Sequence, residues 1–113
     1  MSRIYKILPR ADWIAAQQAG QFAGSSLDRQ DGFIHFSTAA QARETARRHF
    51  AGQAGLVVLE VDTDDLGDAV RWEPSRGGAL FPHLYGPLPT PRVRGVTEAP
   101  LDADGVPVIA VPS

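Results

Sequence analysis

The chain has 113 residues, 43% hydrophobic and 21% charged, with a formal net charge of -2. That describes one folded domain over residues 1–113, burying roughly two-thirds of its unfolded surface, and excludes disorder as a global description. The charge lacks the positive excess of a DNA or RNA binder, and the lack of cysteine excludes disulfides, thiolate zinc sites and a cysteine nucleophile. No apolar run approaches the roughly 18 residues of a membrane span, and Met1–Lys6 carries no apolar signal core. A cytoplasmic protein without a membrane partner is expected; composition leaves its oligomeric state open.

The first segment, Arg3 to Leu8, is rich in Ile, Tyr and Leu and reads as a strand stopped by Pro9. Arg10 to Ala19 reads as a helix, with Trp13 and Ala16 on one stripe and Gly20 at the capping position. Gln21 to Asp31 reads as a polar loop ending in the turn Asp31-Gly32. Phe33 to Phe36 is a short strand, with Ile34 and Phe36 on one face and Phe33, His35 and Ser37 on the other. Thr38 then caps a helix, and Gln41 completes a capping box. Ala39, Ala42, Ala46, His49 and Phe50 mark its inner stripe, and Gly52 or Gly55 is expected to end it.

Leu56 to Val61 is a strand covered on both faces, because five of its six residues are apolar. Asp62 to Gly67 is a turn, and Ala69 to Glu73 a further strand. A long Gly/Pro/aromatic loop is expected over Pro74 to Pro89, followed by strands at Val93 to Glu98 and Val106 to Val111. The expected class is α+β: a compact, split or curved, mostly antiparallel sheet of about six strands with two main helices.

Three places carry chemistry-bearing residues. The first is His35-Phe36-Ser37-Thr38, a strand that runs into a helix N-terminus. Unpaired helical N–H groups, two hydroxyls and an imidazole would suit a phosphate or a ribose hydroxyl. The plain alternative makes Thr38 only a cap and His35 only a half-buried strand residue. The second is the 74–89 segment, where Phe81 and Tyr85 would stack on a flat ring and Arg76 and His83 would meet anionic oxygens. The alternative there is a packed loop whose Phe81 and Leu84 plug a small core. The third is Glu73, at a strand end, either a base or sugar-orienting carboxylate or a solvated partner of Arg71. His35, His49 and His83 have no metal-ligand spacing, so no metal site is expected.

Several stretches taken together are familiar: Tyr5-Lys6-Ile7, Asp31 to Thr38, Trp72-Glu73-Pro74, and Phe81-Pro82-His83-Leu84-Tyr85-Gly86. In this order, over roughly Ile4 to Val96, they resemble the bacterial family called domain of unknown function 952. That family is similar to the ADP-ribosyltransferase superfamily, which includes RNA 2'-phosphotransferases. The resemblance implies a split sheet with a cleft for NAD or an ADP-ribose-like moiety, NAD being a substrate rather than a resident cofactor. His35 would bond a ribose hydroxyl, aided by Ser37 and Thr38. The superfamily's stacking tyrosine has no match in the apolar stretch Leu56 to Val61. The place of its catalytic glutamate falls near Pro82 to Tyr85, which puts His83 there and leaves Glu73 as a possible substitute.

These readings give one leading expectation. It is an ADP-ribosyltransferase-like or 2'-phosphotransferase-like enzyme on a nucleotide-like small molecule. His35, His83 and Glu73 would be catalytic, and Ser37, Thr38, Arg76, Phe81 and Tyr85 would bind ligand. The alternative is a non-catalytic module that binds a small metabolite and uses the 74–89 segment as a lid.

Overall fold

Alternation along the first strand sets the layout. In the computed structural model, which describes residues 2–111 except for the side chain of Arg76, β1 (Arg3–Pro9) buries Ile4 and Leu8 on one face and Tyr5 and Ile7 on the other. A strand apolar on both faces must be covered on both. The chain continues through α1 (Arg10–Ala19), β2 (Gln21–Phe22), α2 (Ser26–Asp31), β3 (Ile34–His35) and α3 (Ala39–His49). It then runs through β4 (Leu56–Asp62), β5 (Val70–Pro74), β6 (Leu80–Leu84), β7 (Leu88–Pro89) and β8 (Val93–Ala99).

The architecture is α+β, with eight described strands in three antiparallel sheets. One sheet has the order β1-β4-β8, so β4 is central. Its Val57, Leu59 and Val61 join Trp13 and Ala16 of α1 in one core, while Leu56 and Val58 join Ala42 and Ala46 of α3 in the other. A second sheet has the order β3-β6-β5, and β2 pairs with β7. An antiparallel bridge between Tyr5 and Ser37 ties the two larger sheets together. There the Tyr5 N–H donates to the Ser37 carbonyl at 2.8 Å, and the Ser37 N–H donates back at 2.9 Å.

Several elements differ from expectation. The supposed polar loop contains α2, which has no apolar stripe and is started instead by a capping box between Ser25 and Asp28. The supposed loop over 74–89 contains β6, the central strand of its sheet. Pro82 fits there because the β3 side uses its carbonyl, which accepts the Phe36 N–H at 3.0 Å, and asks no donor of it. The sheets therefore hold more than six strands, and a third helix joins the two expected. Residues 106–111 form no strand; their one ladder contact is an isolated bridge from Leu101 to Pro107. Ile109 and Val111 are buried and Val108 is exposed, so the alternation there records a covered face without strand pairing. The last helix stops at Phe50, before either glycine, where the Phe50 N–H donates to the Ala46 carbonyl.

The Thr38 cap forms as expected: its hydroxyl accepts the Gln41 N–H at 3.2 Å, and its own N–H donates to Gln41 Oε1 at 3.0 Å. Thr38→Ala is expected to cost about 1 kcal/mol, read as a lowered midpoint in urea with an unchanged slope. No described helix is long and apolar enough to cross a membrane.

Candidate functional site

The pairing of β3, β6 and β5 puts the chemistry on one sheet face. Ile34 lies opposite Leu84 and His35 opposite His83, while Arg71 and Glu73 on β5 lie opposite His83 and Phe81. With a side-chain period of two, Ile34 and Leu84 enter the core with Val70 packed against them. The other face then carries His35, Phe81, His83, Arg71 and Glu73, and its register continues to Phe33 and Tyr85.

Those side chains form one connected cluster. His83 is buried, its ring stacks on Phe33 at 4.0 Å between centroids, and its Nδ1 lies 2.7 Å from Glu73 Oε1. The Tyr85 hydroxyl donates to the same Glu73 oxygen at 2.7 Å. The Arg71 guanidinium sits 4.9 Å above the Tyr85 ring. Hydrogen bonds from His83 and then Tyr85 hold the Glu73 carboxyl below its usual range, and the same contact raises the Tyr85 phenol. An ionised carboxylate only accepts, so the bond between them is donated by His83 Nδ1.

His35 is held by a second carboxylate. Its ring lies 5.5 Å from that of His83. Its Nδ1 donates to Asp28 Oδ1 at 2.6 Å, and its Nε2 lies 3.0 Å from Asp31 Oδ2. Asp28 is a buried hub. It also accepts the Ser25 N–H at 2.9 Å, the His35 N–H at 3.2 Å, and the Lys6 ammonium at 3.0 and 3.2 Å. Burial pushes the Asp28 carboxyl up, but the His35 bond, the Lys6 charge and the Ser25 N–H together hold it well below the usual range. Burial lowers Lys6, with Asp28 only partly opposing it. Gly24 gives the hub room, since a Cβ there would lie 2.9 Å from the Asp28 Cβ.

His35 and His83 open onto a cleft of about 940 Å³, whose walls come from β1, α1, the 21–29 segment, β3, α3 and β6. Of the residues expected to bind or react, His35, His83, Ser37 and Phe81 line it. Glu73 and Tyr85 stand behind His83 and are not among its lining residues. Ser37 is buried, with its Oγ 3.0 Å from Thr45 Oγ1, and Thr38 spends its hydroxyl on the helix cap. Arg76 belongs to the turn after β5, beside the cleft-lining Ser75, and its side chain lies outside the described residues. The described residues assemble no cluster of three or more metal-ligating acids and histidines.

Lys6, Asp28, Asp31 and Phe33 are the site residues that sequence reasoning missed. Two signals pointed at the first pair. Lys6 is the single lysine in the chain, and Ser25-x-x-Asp28 is a capping-box spacing.

The molecule is thus a small α+β domain with two carboxylate-held histidines in one cleft. A family model described as "Protein of unknown function (DUF952)" matches residues 7–96, and the chain belongs to that family. It is 54% identical to protein CC0527 from Caulobacter crescentus, whose crystal structure superposes with a TM-score of 0.92 over 95% of this chain and 94% of that one. The solution NMR structure of CC0527 gives 55% identity and a TM-score of 0.86, over 95% and 92% of the two chains. No curated protein matches the chain.

Proposed function

We propose that the cleft binds a nucleotide-like small molecule, of the NAD, ADP-ribose or 2'-phosphorylated kind, and acts on it in the manner of an ADP-ribosyltransferase-like or 2'-phosphotransferase-like enzyme. The observation that carries this reading is the pair of imidazoles, 5.5 Å apart in one cleft and each with a carboxylate on Nδ1. The cleft volume of about 940 Å³ falls within the roughly 300–1,000 Å³ of ordinary ligand sites. His35 takes a ribose hydroxyl through Nε2, in exchange for its contact with the exposed Asp31 carboxylate. His83 offers Nε2 as the proton acceptor, with Glu73 fixing the tautomer and stabilising the cation that forms. Phe81 supplies an aromatic wall.

The non-catalytic reading has its own support. Glu73 holds both His83 and Tyr85 through Oε1 and stands outside the cleft lining, so it does not face a cleft-bound ligand as the carboxylate for an oxocarbenium-like centre. Its lid shrinks to Ser75–Ala79, because residues 80–84 are held as a central strand. Glu73→Gln separates the two readings: binding persists in both, and turnover falls only in the enzyme.

The direct test is an amide chemical-shift titration with NAD, ADP-ribose and a 2'-phosphorylated nucleotide. Saturable shifts are expected at His35–Thr38 and at residues 76–85. His35→Ala is expected to weaken the tightest of these ligands at least about tenfold, the loss of roughly one good hydrogen bond to a charge-bearing network. Unchanged affinity in that variant would remove His35 from the site.

A further inference from the structure

The chain has ten arginines and one lysine, and that lysine does not sit on the surface. Lys6 lies in the middle of β1, between Ile4 and Leu8 on the face that packs against α1, and lines the cleft. Among the described residues its one ion-pair partner is Asp28, reached at 3.0 Å. As a structural pair this is a poor choice. An arginine would grip the carboxylate through two parallel bonds and stay charged, whereas an ammonium is a strongly hydrated point charge that burial penalises. What lysine offers and arginine does not is a nitrogen that can lose its proton and attack.

We propose that Lys6 is an amine nucleophile that captures a small aldehyde or ketone as an imine on the floor of the cleft. The Nζ lone pair adds to the carbonyl carbon, and the C=O π pair moves to oxygen. The carbinolamine then expels that oxygen as water. The ammonium and the carbonyl together yield one protonated imine and one water, and the two protons leaving nitrogen depart on the carbonyl oxygen. Asp28 remains as counter-ion to the cationic imine. His35 shares Asp28 Oδ1 with Lys6, which ties an imidazole into the same hydrogen-bonded cluster as the reacting amine. The depressed basicity of Lys6 supports the assignment, because more of the amine is neutral near pH 7. Neither a nucleotide nor a phosphate is needed, so this inference stands apart from the preceding one.

The test uses the unmodified full chain with propanal and sodium cyanoborohydride at pH 7. Reduction freezes any imine as an N-propyl group, and peptide mapping separates Lys6 from the N-terminal amine. The same reaction on the chain unfolded in guanidinium gives the rate of Lys6 as an ordinary lysine. Lys6 is expected to react at least about tenfold faster in the folded protein, where burial lowers its basicity and the cleft holds the aldehyde beside it. Equal or slower reaction when folded, or labelling of the N-terminus alone, would overturn the proposal and leave Lys6 as a structural pair. Neither result depends on the nucleotide titration, so the two readings fail separately.

Discussion

Val58→Asp is expected to abolish the cooperative unfolding transition. Val58 is 2% exposed in the central strand β4, paired to Ile7 on one side and Thr97 on the other. It belongs to the core that Ala42 and Ala46 of α3 close. A carboxylate there meets methyl groups and no partner. An uncompensated buried charge costs roughly 3–5 kcal/mol and the lost valine packing about 2 kcal/mol more, enough together to exhaust a small domain's stability at the lower end of the typical range of about 5–15 kcal/mol. Val58→Ala makes the comparison: it removes two methyl groups' worth of burial, about 2 kcal/mol, and should still fold. Far-UV circular dichroism through a urea series reads both. A Val58→Asp protein with the parent's midpoint would mean that β4 is not covered on its α3 side.

What the sequence made legible was periodic. β1, α1, α3 and β4 each carry enough apolar repeats to declare both their type and their buried face, and α1 begins and ends where Pro9 and Gly20 indicate. α2 escaped because its six residues have no stripe; its cause is local, a reciprocal pair of bonds between Ser25 and Asp28. β6 was hidden by the glycines and prolines around it, and only pairing with two neighbours shows that Pro82 needs no donor. The site divides along the same line. His35, Phe81 and His83 stood out by residue type, and strand alternation put His35 on the face that proved polar. Lys6 and Asp28 lie 22 positions apart, and no local pattern joins them. A lone lysine inside an apolar strand breaks alternation, and that exception was the legible trace of the hub.

Asp28→Ala is expected to cost roughly 3–5 kcal/mol, because it leaves the Lys6 ammonium without its buried partner and frees the His35 ring. Half of the α2 capping box goes with it, the bond from the Ser25 N–H to the Asp28 carboxylate, while the Ser25 hydroxyl keeps its bond from the backbone N–H of residue 28. The contribution of Asp28 also depends on pH. Its folded-state pKa is depressed, so the stabilisation is complete above the unfolded value of about 3.9 and is lost as pH falls through the folded value. Thermal unfolding of parent and variant should therefore differ most at neutral pH and converge in acid. A gap that persists undiminished well below pH 3 would assign the loss to packing instead of charge. The double variant Lys6→Met with Asp28→Leu completes the argument. Replacing a buried ion pair by apolar side chains of similar size is often neutral or stabilising by about 1–4 kcal/mol, so the double variant should recover most of what Asp28→Ala loses. It would also lack the amine that captures a carbonyl and the carboxylate that orients His35. Recovered stability with lost ligand shifts would mean that the pair is kept for the cleft's chemistry, since the fold does as well without it.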